Sequence, residues 1–539
     1  MPGVISFVLA MVVTMTTMPL LSRAAGPLGV LDRPGVRKVH TMPIPRVGGL
    51  AMALGVIVAA FLTIDLHSPD RWFMAGVGVL VIFGAWDDRA DLDYRIKLIG
   101  QLIAVAIVVY FGDVRIRTIT LDDSLLLPAW ISLPLTILFL VGITNAVNLA
   151  DGLDGLAGGT TFLCLCALAL LSSVTGSKAG APMLLAFAGA VLGFLRFNTY
   201  PASVFMGDAG SQLLGFSLGV LGINATQNGT TQMSTAIPLL VLALPILDTS
   251  SVIVHRISQG RSPFSADKNH IHHKLLALGF AHYEAVMVIY VVQAALFVAA
   301  YLLRYESDLL ILGFFTAFFV ISIAALQLTA KSGWRLRPAG SFRESRYPAS
   351  RIETVAAISR GAIAVALAAY ALIVVQTTRP SGDIRLLVGG LLAAIFAFIA
   401  VMRIAPFGFL EKGVMFITAA VLVYLDAYEG HPDALLTWIG WICIGIAAIA
   451  TAIHVRLHSD RRFQVTPLDL IILFMALVVP NLPGSLGLPT GSSGAIAKLV
   501  IIFYSIEILV SRTDRRALWF RIATASVLAG ITARSVTFF

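Results

Sequence analysis

Apolar residues occur in long blocks, and polar residues are confined to short gaps between those blocks. A soluble domain alternates buried and solvated positions and has about 25% charged residues. This chain of 539 residues has only 12% charged residues, and 58% of it is apolar. A helix that crosses a bilayer needs about 20 apolar residues. We therefore predict an all-α, polytopic integral membrane protein, and the composition excludes a soluble enzyme, a disordered chain, a collagen-like fibre and a secreted disulfide scaffold.

The apolar blocks predict about 11 transmembrane helices in the front of the chain and about seven behind them. The front spans are 4–22, 47–64, 72–86, 98–111, 128–147, 159–174, 183–195, 211–225, 235–255, 284–303 and 309–330. The back spans are 361–378, 384–402, 414–427, 435–454, 466–480, 495–511 and 522–537. The basic connector between them suggests three regions: a membrane-embedded domain at 1–330, a cytoplasmic linker at 331–360 and a C-terminal extension at 361–539.

Lysine and arginine accumulate in alternate loops, as they do on the cytoplasmic side of membrane proteins. The first loop carries Arg23, Arg33, Arg37, Lys38 and Arg46. The formal net charge of +9 is therefore explained by topology, and we expect no nucleic-acid partner. The first apolar run lacks the basic segment of a cleavable signal peptide. We predict an uncleaved first helix with the N-terminus outside.

Acidic residues are scarce, with 29 in the whole chain, so their clusters are informative. The first cluster is DDRADLD at 87–93, which begins with Asp87 and Asp88. Adjacent carboxylates repel each other unless a cation, a metal ion or a shared proton offsets the repulsion. A solvated turn between two helices explains this run equally well.

The second cluster repeats every three residues, with Asn145, Asn148, Asp151 and Asp154 in NAVNLADGLDGLAGG. On a helix this spacing places the side chains along one face. The neighbouring sequence supplies no lysine or arginine, and oxygen ligands favour Mg²⁺ or Mn²⁺ over zinc. A helix cap would need only one such residue, so we interpret the cluster as linked to a metal ion or a phosphate.

The third cluster is Asn198 followed by PASVFMGDAGS, which contains Asp208 and Ser211. A glycine-containing turn that opens a helix offers free N–H groups to an anion, and the aspartate offers a carboxylate to a metal ion. The alternative is a simple helix N-cap by Asp208 or Ser211.

The fourth cluster is PFSADKNHIHHK at 263–274, which contains His270, His272 and His273. Histidine clusters often bind zinc, but no cysteine is near and the flanking lysines and arginine disfavour another cation. We interpret the cluster as a cationic cradle for a diphosphate, with a solvated basic loop as the alternative.

Together the clusters supply oxygen ligands for a divalent cation and cationic donors, as phosphoryl transfer from a soluble diphosphate compound requires. The apolar body suggests a lipid as the other substrate. A membrane transporter or lipid flippase is the competing interpretation. Transporters typically place charges near the membrane midplane on broken helices, often in repeated halves.

The chain resembles the polyprenyl-phosphate N-acetylhexosamine-1-phosphate transferase family. The matching stretches are RKVHTMPIPRVGGLAM, DDRADLDYRIKLIGQ, NAVNLADGLDGLAGG, VFMGDAGSQLLGF and DKNHIHHKLLALG, in family order within 1–330. The HIHH form is similar to the branch that makes undecaprenyl-diphosphate-linked GlcNAc. The branch that uses UDP-MurNAc-pentapeptide typically has three consecutive histidines. UDP-GalNAc and UDP-MurNAc-pentapeptide stay open as alternative donors.

The resemblance implies an Mg²⁺-dependent enzyme, with Mn²⁺ as the other candidate ion, in a bacterial inner membrane. The implied reaction is the attack of a polyprenyl phosphate, in this branch undecaprenyl phosphate, on a UDP-N-acetylhexosamine with release of UMP, as the first step of a cell-envelope polysaccharide pathway. We expect the active site to face the cytoplasm, because the acidic clusters lie at the cytoplasmic ends of the predicted spans. Direct attack and a two-step route through an aspartyl intermediate both stay open.

The family roles carry over to the matching positions of this chain. Asp87 is expected to activate the lipid phosphate, with Asp88 assisting. Asp208 and Asn148 are expected at the metal ion. The substrate-binding set is Lys97, Asp151, Asp154, Asn198, His270, His272 and His273.

The extension at 361–539 has no motif that matches the family. Its polar residues, such as Asp426, Glu429, His431 and Asp433, are expected in loops without a cluster. A lipid-handling module, an interaction platform and an element that forms a homodimer are the three roles considered for it.

Overall fold

The computed structural model of the chain describes most of its predicted helices. The described residues are 2–33, 42–121, 124–175, 180–227, 233–262, 269–336, 349–378, 408–428, 434–457, 492–510 and 526–531. The predicted spans 384–402 and 466–480 lie outside these ranges, as do much of the first-loop motif and of the linker. The chain divides into two compact units, Met1–Ser341 and Phe342–Phe539.

The first unit is helical, which confirms the predicted all-α fold class. Its helices are α1 (Pro2–Leu28), α2 (Gly48–Thr63), α3 (Ser68–Ala90), α4 (Tyr94–Tyr110), α5 (Ala129–Ala150), α6 (Leu156–Val174), α7 (Ala181–Asn198), α8 (Gly207–Gln227), α9 (Ile237–Val241), α10 (Ala243–Ser258), α11 (Ile271–Ala277), α12 (His282–Leu302) and α13 (Asp308–Lys331). Each predicted front span coincides with a helix, except that 235–255 is divided into α9 and α10.

The break between α9 and α10 has a local cause. Pro245 lacks the N–H that would bind the carbonyl of Val241 in a continuous helix. Gln293 of α12 donates its Nε2 hydrogen to this carbonyl oxygen at 2.9 Å, and the Cys164 thiol of α6 donates to it at 3.1 Å. The freed carbonyl is thus satisfied by two neighbouring helices.

The described residues of the first unit also form two short hairpins. β1 (Leu31–Asp32) pairs antiparallel with β2 (Ile44–Pro45), and β3 (Thr118–Thr120) pairs antiparallel with β4 (Ser124–Leu126). Arg46 forms an ion pair with Asp32 beside the first hairpin.

The start of α8 is held against α2 and α3 by close backbone packing. The N–H groups of Gly48 and Gly49 donate to the carbonyls of Phe205 and Met206 at 3.0 and 2.8 Å. A Cβ atom on Gly49 would lie 2.2 Å from the backbone nitrogen of Gly210. A side chain there would push the helices apart, so glycine permits the contact.

Among the described residues, eight helices are long and apolar enough to cross a membrane. The helices differ in how much of their apolar stretch is buried inside the protein. The buried share is 78% in Leu156–Val174 and 6% in Asp308–Thr329. α6 is therefore a central helix and α13 a peripheral one. Length, composition and burial agree with a multi-pass membrane protein.

The described helices of the second unit include α14 (Ala349–Thr377), α15 (Gly408–Tyr428), α16 (Ala434–Leu457) and α17 (Ser492–Val510). Their buried contact includes Tyr370, Val374, Leu425, Ile444 and Ile502. This apolar cluster is what the long apolar blocks of the extension predict.

A buried ion pair crosses this second core. Lys498 is 7% exposed, and its Nζ lies 2.5 Å from Oδ2 of Asp426. The hydroxyl of Tyr370 donates to the same oxygen at 2.9 Å, and Nζ lies 4.3 Å from the ring centroid of Trp441. The expectation that Asp426 lies in a loop without a cluster is wrong. Asp426 lies within α15, where Lys498 neutralises the carboxylate and Tyr370 donates a hydrogen bond to it.

We predict that the variant Lys498→Met destabilises the second unit by about 3 kcal/mol, because it leaves a buried carboxylate without its cation. Cys443 is buried in this core, so a maleimide can label it only when this unit unfolds. The measurement is the midpoint temperature of Cys443 labelling, in a Cys164→Ala/Cys166→Ala background that leaves no other cysteine to react. The double variant Lys498→Met/Asp426→Asn should recover most of the lost stability. A labelling midpoint in Lys498→Met equal to that of the parent would contradict the prediction.

Candidate active site

Four helix ends converge on one set of polar side chains in the first unit. Asp87 lies in the last turn of α3, Lys97 in the first turn of α4, Asn148 in the last turn of α5 and Asp208 in the first turn of α8. Residues as far as 121 positions apart are thereby in contact. The structure thus brings the first three predicted clusters together.

Lys97 bridges two carboxylates. Its Nζ lies 2.5 Å from Oδ2 of Asp87 and 3.0 Å from Oδ2 of Asp208. The Asp87 side chain is only 1% exposed, whereas those of Lys97 and Asp208 are 27% and 28% exposed. Lys97 therefore covers Asp87, and a ligand that enters the site meets Lys97 and Asp208 first.

Asp87 is also fixed from its other side. Its Oδ1 accepts the backbone N–H of Leu92 at 2.7 Å. Asp91 ends α3 in the left-handed region with φ 53°, and Asp93 caps α4 by accepting from the N–H of Arg95. The turn interpretation of DDRADLD therefore describes Asp91 and Asp93, while Asp87 belongs to the polar site.

Asp88 binds the beginning of α8. Its two carboxylate oxygens accept the backbone N–H groups of Asp208 at 2.8 Å and Ala209 at 3.1 Å. Gly207 has φ +70°, and a Cβ there would lie 2.4 Å from Oδ2 of Asp88. The expectation that this helix start offers these N–H groups to an anion is wrong, because Asp88 already occupies both of them.

Asn148 joins α5 to α8 at the site. Its amide donates to Oδ1 of Asp208 and, at 2.7 Å, to the hydroxyl of Ser211. One turn further from the helix end, Asn145 donates to Oε1 of Gln101 at 2.7 Å, and Gln101 donates to Gln212 at 3.2 Å. The sequence patterns did not single out Gln101 and Gln212, because neither glutamine belongs to a regularly spaced series of polar residues.

Asp151 and Asp154 do not continue the helical face that their spacing predicts. α5 ends at Ala150, so only Asn145 and Asn148 of the four lie on one helix. Oδ2 of Asp154 accepts the N–H of Ala202 at 2.9 Å, and the N–H of Asp154 donates to Nε2 of His282 at 3.0 Å. Both carboxylates lie in the loop between α5 and α6.

Asp151 shows that the site holds excess negative charge. Burial first, and then the charges of Asp208, Asp154 and Asp88, raise the pKa of Asp151 to about 7. Within the described part of the chain, its carboxylate accepts no hydrogen bond. Lys97 supplies a cation that the local sequence lacks, but it does not balance these carboxylates.

Asn198 is buried and both ends of its amide bind backbone. Oδ1 accepts the N–H of Gly155 at 2.9 Å, and Nδ2 donates to the carbonyl of Val204 at 2.9 Å. In this arrangement Asn198 holds the loop that carries Asp154 through these two backbone contacts, and its predicted role in binding a substrate stays a prediction.

The histidines reach the same loop through α11. His272 packs on Gly152, where a Cβ atom would lie 2.4 Å from its ring, and the rings of His272 and His273 are 4.3 Å apart between centroids. Burial, reinforced by His273, lowers the pKa of His272 to about 4. His272 is therefore neutral near pH 7 and adds no positive charge to the proposed cradle.

Sequence reasoning missed Asp248, which holds His270. Nδ1 of His270 lies 2.8 Å from Oδ2 of Asp248, and Oδ1 of Asp248 accepts the N–H of Ile271 at 2.6 Å. The available signal was a single carboxylate inside an apolar span, because such a residue rarely occurs there without a role.

The site has the donor chemistry of a hard divalent cation. Asp208, Asn148 and Asp151 provide carboxylate and amide oxygens, the ligands that Mg²⁺ prefers, and Asp208 is partly exposed. Within the described ranges, no three histidine, cysteine, aspartate or glutamate side chains form a complete metal-ligand set. The residues therefore fit Mg²⁺ in ligand type and in charge, with further ligands to come from substrate or water.

The chain is similar to a known family profile and to several named proteins. The profile described as Glycosyl transferase family 4 matches residues 71–226, which include α4 to α7 and most of α3 and α8. "Probable undecaprenyl-phosphate N-acetylglucosaminyl 1-phosphate transferase" of Bacillus subtilis (strain 168) is 36% identical, over 56% of this chain and 85% of the relative.

Two further relatives support the match. "Decaprenyl-phosphate N-acetylglucosaminephosphotransferase" of Mycobacterium leprae (strain TN) is 36% identical, over 52% of this chain and 78% of the relative. "Undecaprenyl-phosphate alpha-N-acetylglucosaminyl 1-phosphate transferase" of Escherichia coli (strain K12) is 30% identical, over 51% of this chain and 76% of the relative. With its motifs assembled at one site and relatives matched over most of their length, the chain belongs to Glycosyl transferase family 4, among the polyprenyl-phosphate sugar-1-phosphate transferases.

Proposed function

We propose that this protein transfers N-acetylglucosamine 1-phosphate from UDP-GlcNAc to undecaprenyl phosphate and releases UMP. The observation that carries the proposal is the contact of Lys97 with Asp87 and Asp208 at the start of α8. The names of the relatives support the lipid acceptor and the transferred group. The HIHH form of the histidine motif supports GlcNAc as the sugar.

In the proposed reaction, an oxygen of the lipid phosphate forms a bond to the β-phosphorus of UDP-GlcNAc. The bond from that phosphorus to the bridging oxygen breaks, and UMP leaves with the electron pair. Lys97 is exposed enough to bind a phosphate. When it moves toward the substrate, Asp87 can accept a proton from the attacking phosphate, while the Leu92 N–H holds the carboxylate in place.

The expected cofactor is Mg²⁺, or Mn²⁺ in its place, held by Asp208 and Asn148 with Asp151 nearby. When bound, the ion neutralises charge on the diphosphate. Asp88 keeps the first turn of α8 in place, so that Asp208 points into the site. We place the nucleotide sugar beside Asp154, in the loop between α5 and α6, and His272 of α11, which packs on that loop.

We also propose a location in a bacterial inner membrane, with the site facing the cytoplasm and the N-terminus outside. The end of α1 leads into the hairpin that packs beside Gly49 and the start of α8. The beginning of α1 is therefore at the opposite end of the unit from the site. Basic loops on the site's side support a cytoplasmic face.

The first test is UMP release by purified protein supplied with undecaprenyl phosphate and UDP-GlcNAc, UDP-GalNAc or UDP-MurNAc-pentapeptide. We expect release with UDP-GlcNAc, its loss with EDTA and its recovery with Mg²⁺. Asp208→Asn should lower kcat by at least about 100-fold, because it removes a charge at the reacting phosphates. Asp113→Asn, at an exposed aspartate paired with Arg117, is the matched control and should retain activity. No UMP with any donor would refute the proposal.

A second test distinguishes the catalytic role proposed for Asp87 from the helix-capping role of Asp88. Asp88→Asn leaves one N–H of α8 facing another donor, which costs about 1–3 kcal/mol, so both Tm and activity should fall. Gly207→Ala should produce the same two losses, because its Cβ would displace Asp88. Asp87→Asn keeps the acceptor for Leu92 and should lower kcat with a smaller change in Tm. Equal Tm values for Asp88→Asn and the parent would contradict the capping role.

We infer that catalysis is confined to the first unit, because all the predicted site residues lie within Met1–Ser341. A chain that ends after Ser341 should therefore retain UMP release within a factor of about three of the full protein, as expected for a compact unit with its own core. Its Tm should be measured in parallel, with Asp208→Asn in the short chain as the inactive control. Loss of activity by a folded short chain would assign a catalytic contribution to the extension.

A further inference from the structure

Asp248 is a buried carboxylate that the proposed reaction has not used. It lies on α10 in the apolar run LALPILDTSS and is 6% exposed. A carboxylate in such a place requires bound partners, because burial without them is costly. Its partners are two consecutive residues of the histidine motif, His270 and Ile271.

The two contacts have different chemical consequences. The N–H of Ile271 donates to Oδ1 of Asp248 at 2.6 Å, which caps the start of α11. Nδ1 of His270 lies 2.8 Å from Oδ2, and an ionised carboxylate can only accept. The His270 proton is therefore held on Nδ1, and Nε2 is the nitrogen left to exchange a proton or bind a ligand.

The same contacts place the other histidines. The rings of His270 and His272 are nearly parallel, 10° apart in plane and 5.6 Å apart between centroids. His272 in turn packs on Gly152, next to Asp151. Asp248 on α10 thus holds the start of α11, and α11 in turn packs through His272 on the loop that carries Asp151 and Asp154.

We infer that Asp248 is a positioning residue for the nucleotide-sugar site: it fixes the tautomer and orientation of His270 and seats α11 against the loop at Asp151. The inference rests on the proposed function, in which the histidines bind the diphosphate of UDP-GlcNAc. Asp248 acts through His270 and does not itself contact the substrate.

Asp248→Asn separates the two contacts. The asparagine Oδ1 can still accept from Ile271, but its Nδ2 is a donor and must face a lone pair on Nδ1 of His270. The cap is kept and the histidine tautomer is reversed. We expect the Kd for UDP-GlcNAc to rise and kcat/KM to fall, each by about tenfold or more, as for other residues that orient a ligand-binding histidine, with Tm close to the parent value.

A double-mutant cycle with His270→Ala tests whether Asp248 acts through the histidine. In the His270→Ala background, Asp248→Asn should cause no further loss of UDP-GlcNAc affinity. An equal loss in both backgrounds would overturn the inference, as would a Kd for Asp248→Asn within twofold of the parent, about 0.4 kcal/mol.

Asp308 provides a matched buried carboxylate at the far end of α5 and α12. It accepts from the backbone N–H groups of Thr120 and Ala236 and from the hydroxyls of Ser234 and Thr235. Asp308→Asn should lower Tm and leave the Kd for UDP-GlcNAc within about threefold, because it perturbs packing away from the site. If Asp308→Asn weakened binding as much as Asp248→Asn, the effect would be structural and the inference would fail.

The binding measurement also separates this inference from the proposed reaction. A parent protein that binds UDP-GlcNAc but releases no UMP would refute the transferase proposal, and the comparison of Kd values would still decide the role of Asp248. A parent protein that does not bind UDP-GlcNAc would overturn both.

Discussion

Compensation of buried carboxylate charge is the constraint on which the site depends. Asp87 and Asp88 are adjacent on α3 and would repel each other without partners. Lys97 neutralises the first, and the N–H groups at the start of α8 bind the second. Because these partners come from α4 and α8, satisfying the two charges also fixes three helices around one point.

Small residues allow this arrangement to form. A Cβ on Gly84 would lie 2.3 Å from the Cα of Ala209, and one on Gly207 would meet the carboxylate of Asp88. Helix backbones therefore approach closely enough for short side chains to connect them. In a membrane, where lipid offers little hydrophobic drive between helices, such contact and internal hydrogen bonding stabilise the packing.

The sequence predicts the helices well, because each apolar block must satisfy its backbone internally in a membrane. It also identifies most of the charged site, since carboxylates are scarce in this chain. It could not reveal that Lys97 contacts Asp208, because nothing in a pattern pairs positions 111 apart. Sequence reasoning missed Asp248, because it is a single carboxylate within an apolar run. It placed Asp426 in a loop, because no pattern reveals the contact with Lys498, which is 72 positions away.

The interruption between α9 and α10 has a consequence for how the site is built. The carbonyl of Val241 is held by Gln293 and Cys164, which belong to α12 and α6. Straightening or flexing the bend would break these two hydrogen bonds, so they stabilise its present geometry. The direction of α10, and with it the position of Asp248, is therefore established by the protein's own interior in the absence of a ligand, so this side of the candidate site is preorganised.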